Sequence, residues 1–129
     1  MSKKILVVED NGDMREIMQV YLGGSGFEVI LAGDGSEGLA VATRERPDVI
    51  VTDASMPKLN GIEMIEQLRG RPEFTKVPII IMTGVSSEMQ DEAKAAGADR
   101  VLVKPTAPSA LLAEINELIG AGLTNQYPY

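Results

Sequence analysis

The segment DVIVTDASMP, residues 48–57, decides the fold of this chain. Its VIV run at 49–51 is continuous, apolar and β-branched, which is typical of a central strand covered by helices on both faces of a sheet. Asp53 follows at the end of this strand. Because open α/β sheets bind ligands at the carboxyl ends of their strands, we expect Asp53 to be presented in a crevice rather than buried.

The rest of the sequence alternates strand and helix patterns with short connections, as in βα units built around a parallel sheet. The predicted strands are residues 5–8, 29–32, 49–51, 77–82 and 101–103. A predicted helix follows each strand, so the pattern indicates an α/β fold of five βα units.

Two of the predicted helices carry clear local signals. The first should bury one stripe of side chains at helical spacing, namely Met14, Ile17, Met18, Tyr21 and Leu22. The fourth should begin with a capping box of Ser87 and Gln90 and end at Gly97.

Composition limits the classes of function. The 129 residues suit one domain, which we place at residues 1–120, with 121–129 as a C-terminal tail or the start of a linker. The net charge of -7 argues against direct binding of nucleic acid. The chain has no cysteine and no histidine, so thiolate chemistry and an imidazole phosphoryl carrier are excluded. The apolar run at 5–8 is too short for a membrane span, and we expect a soluble, cytoplasmic protein.

Polar side chains end four of the five predicted strands. They are Glu9 and Asp10, Asp53, Thr83, and Lys104. The ends of parallel strands lie on one edge of the sheet, so these five side chains should converge. A Lys–Asp ion pair with a capping threonine would explain any one of them, but it does not explain all five together.

Three carboxylates at close quarters raise each other's pKa unless a cation lies among them. Mg²⁺ is the expected ion, because it accepts a few carboxylates together with water and phosphate oxygens. It would bring a phosphoryl group to Asp53, whose carboxylate would attack phosphorus to give an aspartyl phosphate. Lys104 would supply positive charge to the phosphoryl oxygens and Thr83 a hydroxyl donor.

With these residues in place, the chain resembles a receiver domain of bacterial two-component response regulators. The resemblance extends over about residues 3–120. It rests on the following residues and segments: Glu9 and Asp10, the DASMP segment from Asp53, Gly61, the MTG segment holding Thr83, and the pair Lys104 and Pro105.

The resemblance implies a flavodoxin-like, three-layer (βα)₅ fold with a five-stranded parallel sheet in the order 2-1-3-4-5. It also implies Mg²⁺ bound directly by Asp10 and Asp53, through water by Glu9 or Asp10, and by the backbone carbonyl of Ser55. The peptide bond between Lys104 and Pro105 is implied to be cis.

The same resemblance implies a phosphoprotein switch that catalyses only its own phosphorylation and dephosphorylation. The donor would be a sensor histidine kinase or a histidine phosphotransfer protein. Phosphorylation would alter the surface made by the fourth helix, fifth strand and fifth helix, and a downstream protein target or an output domain missing from this chain would respond. We predict a stand-alone receiver or an excised one. Val101 departs from the family, which usually has an aromatic residue there, so rotation of a ring is not available to spread activation beyond Thr83.

Parts of the sequence also fit other classes of protein. Gly33, Gly35 and Gly38 spell GxGxxG, with Asp53 twenty residues beyond Gly33, as in dinucleotide-binding proteins. That motif follows the second strand rather than the first, and it leaves the other strand-end residues unexplained. A flavin-binding carrier is disfavoured by an aromatic content of 4% and the absence of tryptophan. An interaction module that is not phosphorylated would have no reason to keep the acid cluster.

Overall fold

Five short apolar segments form one parallel sheet in the computed structural model, which describes residues 2–120. The strands are β1 (Lys4–Val8), β2 (Glu28–Ala32), β3 (Val49–Asp53), β4 (Ile79–Thr83) and β5 (Arg100–Val103). Their order is β2-β1-β3-β4-β5, which confirms the predicted topology. The predicted tail at 121–129 lies outside the described residues.

Helices cover both faces of the sheet. They are α1 (Gly12–Gly24), α2 (Gly35–Glu45), α3 (Gly61–Arg69), α4 (Ser87–Ala96) and α5 (Pro108–Ile119), with a 3₁₀ turn at Pro72–Phe74. Neighbouring residues of β3 point to opposite faces: Val49 and Val51 pack with α1 and α5, whereas Ile50 packs with α2, α3 and α4. The central strand is therefore apolar on both sides, as its sequence predicted. Among residues 2–120, no helix is long and apolar enough to cross a membrane.

The structure corrects two predicted boundaries. β4 begins at Ile79 rather than at Val77, because Pro78 has no N–H to donate to the ladder. The N-cap of α4 is Ser86 rather than Ser87, since the Ser86 hydroxyl accepts a hydrogen bond from the Met89 N–H. Gly97 ends α4 in the left-handed region, as predicted.

The predicted stripe of α1 is wider than the surface that the helix buries. Met18, Tyr21 and Leu22 are buried, but Met14 is 37% exposed and Ile17 is 44% exposed. Periodicity identified the apolar side of the helix correctly. It did not show that the sheet and α5 cover only part of that side.

Arg69, the last residue of α3, connects several backbone segments at the edge of the sheet opposite the strand-end acids. Its guanidinium donates to the backbone carbonyls of Phe74, Val77 and Gly97 and to the Asp99 carboxylate, at 2.6 to 3.0 Å. The same Asp99 oxygen accepts the Ile79 N–H at 2.8 Å. Charge-assisted hydrogen bonds of this kind are the stronger ones in proteins, and here they fix where β4 begins.

Gly61 allows the start of α3 to lie directly against the end of β3. A Cβ at this position would lie 2.1 Å from the Asp53 carbonyl oxygen, a backbone atom. The Gly61 N–H also donates to the Ala54 carbonyl at 3.0 Å. The backbone around Asp53 is thus held by a contact that only glycine permits.

We predict that Gly61→Ala lowers the free energy of unfolding by about 1–3 kcal/mol, because the methyl group must displace backbone. Chemical denaturation measures this change. Gly23→Ala in α1 is the matched control, since a Cβ there meets nothing within 4 Å. The control should be neutral or stabilising by up to about 1 kcal/mol. Equal stability of the native chain and Gly61→Ala would contradict the predicted close approach.

Candidate functional site

The register of β1 and β3 brings the first acids together. Val8 lies opposite Thr52 in this parallel pair, so the next residues, Glu9 and Asp53, emerge side by side at the edge of the sheet. Asp10 follows Glu9 in the loop to α1. Carboxylate oxygens of these three acids lie within 4.8 Å of one another. The predicted convergence of the acids is confirmed.

The other two strands bring Thr83 and Lys104 to the same edge. Asp53 pairs with Met82 on β4, and Thr83 is the next residue. Thr83 in turn pairs with Val103 on β5, after which the Lys104 N–H donates to the Thr83 carbonyl at 2.7 Å. Lys104 therefore continues the β4–β5 ladder by one residue and projects from its end.

Asp53 is buried, contrary to the prediction that it is presented. The residue is only 4% exposed. Its Oδ2 accepts a hydrogen bond from the Lys104 ammonium at 2.7 Å, and its Oδ1 accepts the Ser55 N–H at 3.3 Å. Burial follows from these neighbours, because Lys104 and Glu9 lie against the carboxylate. Lys104 is the exposed partner, with 42% of its side chain accessible to solvent.

The pKa of Glu9 is shifted by its position in the acid cluster. Burial raises the pKa of Glu9 from 4.5 to about 7, and the negative charge of Asp53 adds to this effect. Hydrogen bonds to Asp53 and Asp10 act in the same direction. The carboxyl group of Glu9 is thus held ready to lose its proton when positive charge arrives nearby.

Arg15 supports the acid pair from α1 and was not singled out in the sequence. Its Nη1 donates to the Glu9 backbone carbonyl at 2.7 Å. The guanidinium also lies close to Gly12 and Gly33, where an added Cβ would be 3.5 and 3.3 Å away. Only its position, five residues after Asp10, could have indicated this role, and that spacing is too general to predict a contact.

The hydroxyl of Thr83 already forms a hydrogen bond. The residue is fully buried, and Oγ1 donates to the Gly84 carbonyl at 2.9 Å. A hydroxyl can rotate to a better acceptor when one comes within reach. The peptide bond between Lys104 and Pro105 is cis, which confirms that prediction.

The donors at this site fit a hard divalent cation. Three carboxylates at the end of the sheet offer oxygen only, and two of them are buried. Mg²⁺ takes such ligands together with water. A divalent charge would offset both causes that raise the pKa of Glu9, its burial and the negative charge of Asp53. The direct contact of Lys104 with Asp53 supplies only one positive charge against three acids. The predicted role of the Ser55 carbonyl as a ligand stays a prediction.

The glycine segment serves packing. The Gly33 N–H donates to the Glu37 carboxylate, and the Gly35 N–H donates to the Leu59 carbonyl at 3.0 Å. A Cβ on Gly35 would lie 2.2 Å from that carbonyl oxygen. Because two amides that a dinucleotide phosphate would need are already used, the segment fits α2 against the loop after β3 rather than a nucleotide.

A cleft of about 440 Å³ leads from the acids toward α1. It is lined by Glu9 and Lys104 at one end and by Met14, Met18 and Met82 along its side. A second open cavity, of about 540 Å³, lies further along α1 and is lined partly by Ile17 and Val20. Both cavities thus border α1, the first beside Glu9 and the second beside exposed apolar side chains of the helix.

The chain is similar to known proteins over nearly its whole length. Residues 5–116 match the family model described as "Response regulator receiver domain". The chain is 38% identical over 120 residues to the alkaline phosphatase synthesis transcriptional regulatory protein PhoP of Bacillus subtilis. It is 41% identical over 120 residues to the response regulator MprA of Mycobacterium tuberculosis. These matches cover 92% of this chain but 49% and 51% of the two relatives, so the chain spans about half their length.

Solved structures show the same fold. The chemotaxis response regulator CheY4 of Vibrio cholerae is 36% identical, with a TM-score of 0.86, and the match covers 92% of this chain and 99% of that one. The receiver domain of the sensor histidine kinase PA1611 of Pseudomonas aeruginosa is 29% identical, with a TM-score of 0.86 and coverage of 94% and 100%. That structure is described as having a magnesium ion coordinated in its active site cleft.

The raised pKa of Glu9 predicts a pH-dependent stability. The folded protein holds a proton on Glu9 up to about pH 7, whereas the unfolded chain releases it near pH 4.5. The contribution of Glu9 to stability is therefore full below pH 4.5 and is lost as pH rises to about 7, by roughly 1 kcal/mol per pH unit.

Denaturation of the metal-free protein between pH 5 and pH 8 measures this effect. Glu9→Gln, which stays neutral, should show a flatter decline than the native chain. Glu28→Gln, an exposed glutamate on β2, is the matched control and should follow the native chain. Parallel curves for native and Glu9→Gln proteins would contradict the raised pKa.

Proposed function

This chain belongs to the family of response regulator receiver domains, and we propose that it accepts a phosphoryl group on Asp53 from a phosphohistidine of a partner protein. The observation that carries the proposal is the Asp53 carboxylate, which lies between two acids and one ammonium group at the end of the central strand. A purely structural role does not explain why a buried aspartate lies next to both negatively and positively charged side chains.

In the proposed reaction, a carboxylate oxygen of Asp53 forms a bond to phosphorus. The bond from phosphorus to the donor's imidazole nitrogen breaks, and its electron pair stays on that nitrogen, which takes up a proton. The 129 residues contain no histidine, so the phosphohistidine lies outside them. Small acyl phosphates could donate in the same way, with a carboxylate as the leaving group.

We assign Glu9, Asp10, Asp53 and the Ser55 carbonyl to the binding of Mg²⁺. When bound, the ion supplies positive charge that reduces repulsion between the acids and the phosphoryl oxygens. Support comes from the oxygen-only donor set, from the raised pKa of Glu9, and from the magnesium ion described for the PA1611 receiver domain. At neutral pH, Glu9 would release its proton when that charge arrives.

Lys104 and Thr83 have separate proposed tasks. Lys104 now contacts Asp53 Oδ2, and its flexible ammonium would move to an oxygen of the phosphoryl group formed there. Thr83 would turn its hydroxyl from the Gly84 carbonyl to a second phosphoryl oxygen, which is the stronger acceptor because it is charged. Loss of the Thr83–Gly84 bond would release the loop that leads into α4.

The output surface is proposed to be the one formed by α4, β5 and α5. Thr83 and Lys104 end the strands beneath this surface, so the phosphoryl group biases its conformation directly. Val101, at the position usually held by an aromatic residue, is half-buried and packs against the core shared with α4. Activation in this chain would therefore depend on movement of the β4–α4 loop rather than on rotation of a ring.

The phosphodonor is proposed to dock on an α1 patch formed by Met14, Ile17 and Val20. These side chains are 37%, 44% and 46% exposed, and they lie at successive turns of one helix. The cleft that begins at Glu9 and Lys104 reaches Met14, so a helix placed on this patch would stand next to the entrance to Asp53. An apolar patch suits a helical donor protein such as a sensor kinase or a phosphotransfer protein.

Acetyl phosphate tests the acceptor. We predict that intact mass rises by one phosphoryl group in the presence of Mg²⁺ and does not rise when the metal is chelated. Asp53→Asn should show no increase, because an amide is a poor nucleophile. Asp91→Asn, an exposed aspartate on α4, should be labelled like the native chain. Labelling of Asp53→Asn to the native level would refute the assignment.

Docking is tested by Ile17→Glu. We predict that transfer from a phosphorylated histidine phosphotransfer protein slows by about tenfold or more, since a charge would enter the centre of an apolar contact. Phosphorylation by acetyl phosphate should keep its native rate, because that donor needs no docking surface. Ala40→Glu on the exposed side of α2 is the control. Native transfer rates in Ile17→Glu would show that the donor docks elsewhere.

A further inference from the structure

An open groove of about 690 Å³ lies between α3 and α4, on the other face of the sheet from α1. Its apolar lining includes Ala54, Ile62, Met89 and Ala96, which are buried or half-buried against the core shared by α2, α3 and α4. Two of these side chains are alanines, so the space between the helices is wide enough to admit side chains from another molecule.

Three glutamates line this groove, which we call the acidic groove: Glu63 and Glu66 on α3 and Glu92 on α4. All three are exposed, and within residues 2–120 none of them forms an ion pair. Two basic residues near these helices are paired elsewhere, Arg69 with Asp99 and Lys58 with Asp34. The groove therefore combines an apolar lining with uncompensated negative charge.

We propose that the acidic groove is a docking site for a basic segment of a partner protein, one that carries lysine or arginine together with an apolar anchor. The apolar lining would take the anchor, and the glutamates would attract the cations. A second copy of this chain is disfavoured because each copy has a net charge of -7. Residues 121–129 contain no lysine or arginine, so this segment lacks the matching charge.

The acidic groove is linked to Asp53 through two residues. Ala54 and Ser55 directly follow Asp53 and line the groove, and the Ser55 N–H donates to Asp53 Oδ1. Phosphorylation adds negative charge at this end of the groove, so it should tighten binding of a basic segment. This link rests on the proposed function, and by thermodynamic reciprocity the bound segment would favour the phosphorylated state.

The probe is a synthetic helical peptide with alternating pairs of lysine and leucine, titrated into ¹⁵N-labelled, unphosphorylated protein. We expect saturable shifts of the amides of Ala54 and Ser55 and of residues in α3 and α4. The double variant Glu66→Gln, Glu92→Gln should bind the peptide about three- to tenfold more weakly, as expected for two lost, partly exposed ion pairs. The double variant Glu16→Gln, Glu28→Gln removes the same charge from α1 and β2 and should change binding by less than about twofold.

Two results would overturn the docking proposal: shifts that map outside the acidic groove, or an equal loss of affinity in both double variants, which would show attraction to net charge alone.

A second titration uses protein treated with acetyl phosphate and Mg²⁺, with its mass measured. Tighter binding by the phosphorylated protein supports the link, and unchanged binding refutes it. If the mass does not rise, the proposed function fails, while the first titration still decides the groove.

Discussion

The structure depends on the repulsion between three carboxylates that a parallel sheet forces together. The carboxyl ends of parallel strands meet at one edge of the sheet. This topology brings together the carboxylates of Glu9, Asp10 and Asp53. Lys104 offsets part of this charge by its contact with Asp53 at 2.7 Å. Burial of Glu9, with the negative charge of Asp53 adding to it, raises the pKa of Glu9 to about 7. Because the carboxylates repel one another, the site would respond strongly to an added cation or phosphoryl group. The proposed switch requires this response.

Rigid packing of the backbone keeps the three acids close together. Gly61 lets α3 begin against the Asp53 carbonyl, and Arg15 holds the Glu9 carbonyl from α1. The acids therefore cannot relieve their repulsion by moving apart through the backbone. Side chains at the rim are freer, since Lys104 is partly exposed and the Thr83 hydroxyl has an alternative acceptor. In the proposed switch, a change of charge at Asp53 would therefore be transmitted by Lys104 and Thr83.

The sequence was sufficient to predict the sheet and which polar side chains lie together at its edge. Continuous apolar runs located the strands. The polar residues within two positions of the ends of four runs located Glu9, Asp53, Thr83 and Lys104, because the parallel topology fixes where strand ends lie. These predictions depend on order along the chain and on alternation of elements. Both are fully visible in a sequence.

Features that depend on neighbouring elements were predicted less well. Asp53 is buried because Lys104 and Glu9 lie against its carboxylate. The order of the strand ends predicts that these side chains converge but not how closely they cover Asp53. Ile17 fits the apolar stripe of α1 but is exposed, since periodicity cannot show how far the sheet and α5 extend. Ser86 and Ser87 are equally good caps in composition, and only the backbone distinguishes them.

Trapping of the phosphorylated residue tests the central claim most directly. Borohydride reduces an aspartyl phosphate to homoserine, so protein treated with acetyl phosphate and Mg²⁺ can be reduced, digested and sequenced by mass spectrometry. The account predicts homoserine at position 53 and at no other aspartate. Homoserine at Asp10, or a phosphoryl group that survives on a serine or threonine, would contradict it.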